Sequence, residues 1–418
     1  MPSPEEPGLP DSPPADSRSG RVPRNVVVLG LVSLLTDASS EMVYPILPLF
    51  LVNVLHAPVS AIGLIESLAE ATASFVKVAS GRLSDRIHRR RPLVALGYTL
   101  SNVVKPLLAL VPAWPAVLAL RVADRFGKGV RTAPRDALIA ESGTPERRGR
   151  DFGLHRALDT VGAAIGPLTA WAVLTLVPDG YRTIFWLSAI PGSLAVILVL
   201  VAVREVRRPV AENVAGPRTP LLPFRQLGAG FTAFTVISVV FALGNSSDAL
   251  LILRAQNVGS AAALVPLMYF VFNVVAAALS TPLGRLSDRV GRKRLIVFGF
   301  AGYAVVYAGF ALASAPVSIW LLFALYGLPY AATEGMTRAF VVDLVPAPLR
   351  GTALGAYTFA IGLAALPASL VGGVLWDQVS PAAPFVLSAV LMAGAAVALL
   401  LSRPPRPVGA THVQESMG

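Results

Sequence analysis

Asp37 and Glu41 stand four residues apart inside a long apolar run near the start of the chain, and Glu66 and Glu70 repeat that spacing in the next run. On an α-helix this spacing puts both members of a pair on one face. The fourth run is the most heavily charged, with Arg121, Asp124, Arg125, Lys128, Arg131, Arg135 and Asp136. Arg121, Arg125, Lys128 and Arg135 fall at i, i+4, i+7 and i+14, so one face of that helix is cationic. Ionisable side chains inside apolar runs are costly, and they mark either function or permanent pairing. A carboxylate trades protons near neutral pH when partial burial disfavours its charge and a nearby cation opposes that effect in another state. Asp37 or Glu41, with Arg125, has the right chemistry for such an exchange. Glu66 and Glu70 are reserve acids, and Asp159, beside His155 and Arg156 at the start of the fifth run, is another. For any one of these residues the alternative is a fixed ion-pair network that only holds helices together.

Membrane-spanning helices must position these charges. Hydrophobic residues make up 54% of the 418 and charged ones 14%, where an ordinary soluble domain carries about 25% charge. The mean hydropathy is +0.65. A span needs about 20 apolar residues. The runs lie at about 25–51, 61–80, 92–112, 115–139, 152–176 and 183–203, then at about 228–254, 261–282, 293–313, 317–342, 352–375 and 383–402. The fold class expected is an all-α membrane protein of twelve helices. Residues 1–24, rich in Pro, Ser, Asp and Glu, lack the apolar centre of a signal peptide and read as a disordered tail. Residues 25–203 form one six-helix bundle, 204–227 a basic linker, 228–402 a second bundle and 403–418 a polar tail.

Charge distribution sets the expected topology. The net charge is +11, but most of the 35 lysines and arginines fall in the tails and alternate links, and only Arg182 in an opposite loop. This is the asymmetry of positive residues held in the cytoplasm, not a nucleic-acid patch. It predicts a multi-pass protein of the cell's inner membrane with both termini cytoplasmic, read as a monomer in the lipid bilayer. The chain has no cysteine. No His/Asp cluster has metal-ligand spacing, no Gly-rich loop precedes Lys-Ser/Thr, and no serine sits in a nucleophile elbow. The sequence therefore suggests neither an enzyme, a metal, a cofactor nor ATP-driven work.

Gly81-Arg-Leu-Ser-Asp-Arg-Ile-His-Arg-Arg-Arg91 recurs half a chain later as Gly284-Arg-Leu-Ser-Asp-Arg-Val-Gly-Arg-Lys-Arg294. Each copy reads as a short basic link between apolar runs. Either glycine would let a neighbouring backbone approach closely. The repeat continues: Glu141 precedes Arg148-Gly149-x-x-x-Gly153 as Asp343 precedes Arg350-Gly351-x-x-x-Gly355, and Asp37-Ala-Ser-Ser-Glu41 matches Gly244-Asn-Ser-Ser-Asp248. Two parallel halves with a path between them follow from such a repeat.

The doubled motif resembles the link between the second and third helices of each half of a major facilitator superfamily transporter. The second copy fits throughout, and the first has His88 where the pattern has glycine. The resemblance covers about 25–402 and implies a secondary transporter that moves a small molecule or ion by alternating access. Proton-coupled export is the expected mode, an uptake symporter or uniporter of the same fold the alternative, and a non-transporting membrane receptor on that scaffold the last. By the same resemblance, Gly81, Asp85, Arg89 and Glu141 would form a conformational latch, with Gly284, Asp288, Arg292 and Asp343 its counterpart. Arg121–Gly129 resembles the superfamily's fourth-helix signature linked to proton coupling, with Asp124 and Arg125 where glutamine and glycine are usual, so either Arg121 or Arg125 is its arginine. Gly162-x-x-x-Gly166-Pro167 resembles a fifth-helix signature of antiporters, and equally serves as a packing motif. Arg121, Lys128, Arg131, Glu66, Glu70, Asn245, Asp248, Glu334 and Arg338 are the substrate-cavity candidates. Asp37, Glu41, Arg125 and Asp159 are the coupling candidates.

Overall fold

The computed structural model describes residues 22–87, 89–144, 147–206, 227–346 and 349–402, with the side chains of Asp85 and Arg86 outside that description. Long apolar sequences leave the backbone no water to bond with, and helices satisfy it internally. The first half runs α1 (Arg24–Val43), α2 (Leu47–Asn53), α3 (Val59–Ile87), α4 (Arg91–Leu107), α5 (Trp114–Ser142), α6 (Arg148–Leu176) and α7 (Tyr181–Ala202). The second runs α8 (Ala229–Gly244), α9 (Asp248–Asn257), α10 (Val265–Val290), α11 (Arg292–Leu312), α12 (Pro316–Thr333), α13 (Met336–Asp343), α14 (Arg350–Gln378) and α15 (Ala383–Leu401). Taken with α1–α2, α8–α9 and α12–α13 as single interrupted rods, these make twelve rods. Among the described residues, eleven are long and apolar enough to cross a membrane. The twelfth is α5, which matches the others in length but carries the charges of the fourth run.

The halves repeat one packing scheme. In the first, α1 packs on α6, α3 on α5, and α4 on α7; in the second, α8 packs on α14, α10 on α12, and α11 on α15. Contacts between halves run through α3 with α14 and α6 with α10. Both described termini, Val22 and Ser402, lie at one end of the bundle, called here the tail end. At the opposite, far end the halves are joined: α2 meets α9, and one buried apolar cluster takes in Ile46 and Phe50, Leu251 and Ile252, and Phe310, Phe323 and Phe385. Gln256 donates to Asn53 (3.1 Å) and Ser67 Oγ to the Leu366 carbonyl (2.7 Å) across the same seam. Toward the tail end, Gly149 and Gly153 on α6 and Gly351 and Gly355 on α14 have no neighbour that a Cβ would meet. The molecule is closed at the far end and open at the tail end.

Two expectations are corrected here. The repeated basic motif is not a link: residues 81–87 and 284–290 continue α3 and α10 as helix. A helix satisfies its own backbone, so running past the apolar stretch needs no new partners. The turn itself falls at Gly291, whose φ of 91° suits glycine. Nor do the motif glycines admit a close backbone: a Cβ on Gly81 would lie 3.4 Å from Ala133, and one on Gly284 3.8 Å from Met336. His88, and the predicted linker and tails at 1–21, 207–226 and 403–418, lie outside the described residues.

Candidate functional site

Three rods are interrupted at mid-depth, and each interruption has a local cause. Pro45 stands between α1 and α2 and supplies no backbone N–H. Between α8 and α9, Ser247 caps the new helix by accepting the Ala249 N–H (3.2 Å). Glu334 and Gly335 separate α12 from α13. Breaks at matching places in the first and seventh rods expose polar groups only where a cavity receives them.

That cavity, about 480 Å³, lies between the halves and is lined by Asp37, Glu41, Glu70, Arg125, Lys128 and Asp248 among others. A second space of about 400 Å³ adjoins it, and Glu70 and Tyr330 line both. The second space holds Asn245, Glu334 and Arg338, and its tail-end residues place it on the open side. Glu334 and Arg338 stand 3.7 Å apart there, both well exposed.

Asp37 on α1 and Asp159 on α6 line the same cavity where those two helices pack together. Ser33 Oγ donates to Asp159 (2.7 Å), and Arg156 reaches its other oxygen (3.0 Å). Glu41 lies one turn further along α1, and its Oε2 is buried with no hydrogen-bond partner. The crossing of α1 and α6 that brings these acids together depends on Gly162 and Gly166. A Cβ on Gly162 would lie 2.2 Å from the Leu34 carbonyl oxygen, and one on Gly166 2.6 Å from Glu41 Cβ. Pro167 follows inside the same helix.

On α5 the charges divide into two groups. Arg121 is paired: its terminal nitrogens meet Glu66 (2.9 Å) and Asp124 (3.5 Å), buried on both sides, while its Nε has no acceptor. Arg131 lies over the Tyr98 ring, 4.2 Å from its centroid. Arg125 and Lys128, by contrast, face the cavity, and among the described residues neither has an ion-pair partner within 4 Å. Arg125 Nε is buried with no acceptor. Across the cavity, Tyr326 donates to Asp248 (2.8 Å), and Tyr269, Phe272 and Tyr330 complete that wall.

Sequence reasoning missed Lys105 and the tyrosines. Lys105 is 3% exposed on α4; its Nζ donates to Ser39 Oγ (3.0 Å) and it shares a small void with Asp124. A lone lysine inside an apolar run was the available signal. The tyrosines are counted as apolar in composition and give none.

At the tail end, Glu141 pairs with Arg90 rather than with Arg89, which is exposed. Arg292 pairs with Asp343 (2.6 Å), and Asp288 lines the same surface recess. Asp85 lies in α3 with its side chain outside the described residues.

Twelve rods in two repeated halves, with a charged cavity open at one end only, define a membrane transporter. The sequence profile of the Major Facilitator Superfamily matches residues 29–253 and 228–416, and the chain belongs to that family. It is not an enzyme but a multi-pass membrane transporter of small molecules. Over 374 residues it is 37% identical to an uncharacterised MFS-type transporter of Methanocaldococcus jannaschii, covering 88% of this chain and 92% of that one. It is also 25% identical over 337 residues to the multi-drug resistance efflux pump PmrA of Streptococcus pneumoniae, covering 77% and 82%. Among solved structures it resembles the nucleoside transporter NupG, with a TM-score of 0.74 at 16% identity, over 91% of this chain and 100% of that one. That last likeness concerns the fold alone.

Proposed function

We propose that the protein is a monomeric, proton-coupled exporter of the inner membrane with its tail end, and both termini, in the cytoplasm. The reading of sidedness rests on charge. Arg24, Arg82, Arg89–Arg91, Arg147, Arg148, Arg150 and Arg204 gather at the tail end, with Arg285, Arg289 and Arg292 opposite them. The far-end arginines have local duties instead: Arg182 donates to the Ala109 and Val111 carbonyls, and Arg254 to those of Phe310, Ala311 and Ala313. On this assignment the structure is the inward-open state.

One observation carries the coupling: Asp37 and Asp159, on the packed helices α1 and α6, line one cavity. Two carboxyls can hydrogen-bond only while they hold a proton between them. Removing that proton leaves two carboxylates that repel, with Arg156 and Ser33 on hand to hold Asp159. Glu41, next along α1 and lining the same cavity as Arg125 and Lys128, is the second acid that a proton can occupy. Substrate bound in the cavity and a proton bound at these acids, each excluding the other, are carried alternately, which is antiport. The efflux-pump relative supports the outward direction. The Arg90–Glu141 and Arg292–Asp343 pairs belong, on this reading, to the tail-end latch.

A deletion strain screened against drugs, metal ions and organic acids supplies a substrate. Proteoliposomes loaded with it should then export it when the far side is made acidic. Purified protein should release protons on binding it, and Asp37→Asn and Asp159→Asn should abolish that release while the folded, membrane-inserted amount stays near wild type. Undiminished release in both variants and their double removes the acid pair as coupling site. Accumulation driven in the opposite direction makes the protein an uptake symporter.

A further inference from the structure

The charges of the central cavity are of two kinds, and the difference points to what the cavity binds. Arg121 and Glu66 close on each other, as do Arg156 and Asp159. Arg125 and Lys128, one turn apart on α5, and Glu41 and Glu70 on the adjoining helices line the same space without closing on one another. Lys128 and Glu70 are exposed to that space, whereas Arg125 and Glu41 are half-buried, and a polar atom held away from water without a partner is costly. Arg121 Nε is also buried without an acceptor, but Arg121 has two ion-pair partners; Arg125 and Glu41, whose Nε and Oε2 are likewise buried and unmatched, have none among the described residues, which leaves them for something that enters the cavity.

The opposite wall has another character. Asp248 is its carboxylate, placed in the first turn of α9, where the helix end favours negative charge. Around it Tyr269, Phe272 and Tyr326 form a continuous chain of rings, with Phe272 4.8 Å from Tyr326 and 5.5 Å from Tyr269, centroid to centroid. Tyr330 stands edge-on to Phe272 at 5.2 Å. Ring faces and one carboxylate together suit an ammonium group or an aromatic ring, not an anion.

We infer that the substrate is an aromatic zwitterion of amino-acid or short-peptide size, its acidic group taken by Arg125 and Lys128 and its ammonium group by Asp248 within the aromatic wall. This rests on the transport reading of the same cavity. A cavity of about 480 Å³ is in the usual range for a small organic ligand. The two binding walls belong to different halves, so one molecule held at both ends bridges the bodies that move in alternating access. Tyr44 of the first half, 5.5 Å from Tyr269 of the second, already spans the gap beside it.

The test uses purified full-length protein and matched triads of probes: aromatic amino acids and aromatic dipeptides, their C-terminal amides, and their N-acetyl forms. Melting temperature read against ligand concentration should rise for free zwitterions, with both blocked forms at least about tenfold weaker, the loss of one charge-assisted contact. Lys128→Gln should weaken the zwitterion about tenfold while leaving the amide unchanged, and Asp248→Asn should weaken it while leaving the N-acetyl form unchanged. The inference is overturned if an amide or N-acetyl form binds as tightly as its parent, or if no triad binds. A zwitterion that binds this way but is not moved in proteoliposomes refutes the transport reading and leaves the inference on binding intact.

Discussion

The carboxylate of Asp377, near the end of α14, accepts the backbone N–H of Ser60 at the start of α3, 2.8 Å across the seam between the halves. Its other oxygen accepts the N–H of Val59 (3.1 Å). A helix start presents unpaired N–H groups and a partial positive charge, and here the second half provides the anion that the first half's helix lacks. The contact ties the two halves together at the closed far end.

Asp377→Asn should therefore favour opening of the far end. Replacing the carboxylate by an amide leaves at most one acceptor and removes the charge, about 1–2 kcal/mol, or roughly a tenfold shift between states. The chain has no cysteine, so Ser67→Cys gives a single reporter, buried at the α3–α14 contact. Labelling of that cysteine by a membrane-impermeant maleimide should be about tenfold faster in the double variant than in Ser67→Cys alone. Equal rates would show that the contact does not hold the far end shut.

The glycine seam separates two positions that look alike in sequence. Gly162→Ala forces a methyl to within 2.2 Å of the Leu34 carbonyl, whereas Gly153, about two and a half turns earlier on the opposite side of α6, has open space around it. Overpacking of this kind costs about 1–3 kcal/mol. Gly153→Ala should be neutral, or stabilising by up to about 1 kcal/mol, because alanine is the better helix former. Melting of the two variants in detergent decides the matter, and equal melting temperatures would mean that α1 and α6 separate freely at this crossing.

What the sequence made legible follows from what helices fix locally. Apolar runs and the doubled Gly-x-Leu-Ser-Asp-Arg motif announce the spans and their repetition, and Asp37, Glu41, Arg125 and Asp248 are conspicuous as charges within those runs. Spacing along one helix cannot say which other helix a side chain meets. That Asp37 and Asp159 share one cavity depends on how α1 crosses α6, which is set by Gly162 and Gly166 at a distance in sequence. The split between ion-paired Arg121 and unpaired Arg125 is likewise invisible, since both lie on the same face four residues apart. Helix breaks at Asn245–Ser247 and Glu334 interrupt strongly apolar stretches without a proline at the break, so hydropathy passes straight through them.

The tail-end cluster gives a prediction that turns on one residue. Arg90, not its neighbour Arg89, pairs with Glu141, and Glu205 accepts the N–H groups of Arg90 and Arg91 (both 2.9 Å), fixing the start of α4 beside it. Arg90→Gln should slow substrate exchange several-fold, and Arg89→Gln should slow it less, with membrane insertion of both unchanged. The order of the two rates is the observation to make; a slower Arg89 variant would restore that residue to the latch.

Arg121 and Glu66 allow the sharpest separation of structural from transport charge. Their ion pair is buried, with side-chain exposures of 7% and 13%, so removing one partner leaves the other without compensation, typically costing about 3–5 kcal/mol. Glu66→Gln should fall at the lower end of that range, because Asp124 still faces Arg121 at 3.5 Å. Arg121→Gln leaves Glu66 with no ion pair within 4 Å among the described residues, while Asp124 keeps the Ser101 hydroxyl and Lys105 nearby, and should cost the more. The double variant removes both charges and should recover much of the loss, ending less destabilised than Arg121→Gln by itself. Thermal unfolding of the three variants measures this directly. Additive losses in the double variant would mean that the pair does not act as a unit, and Arg121 would then return to the set of charges available to substrate.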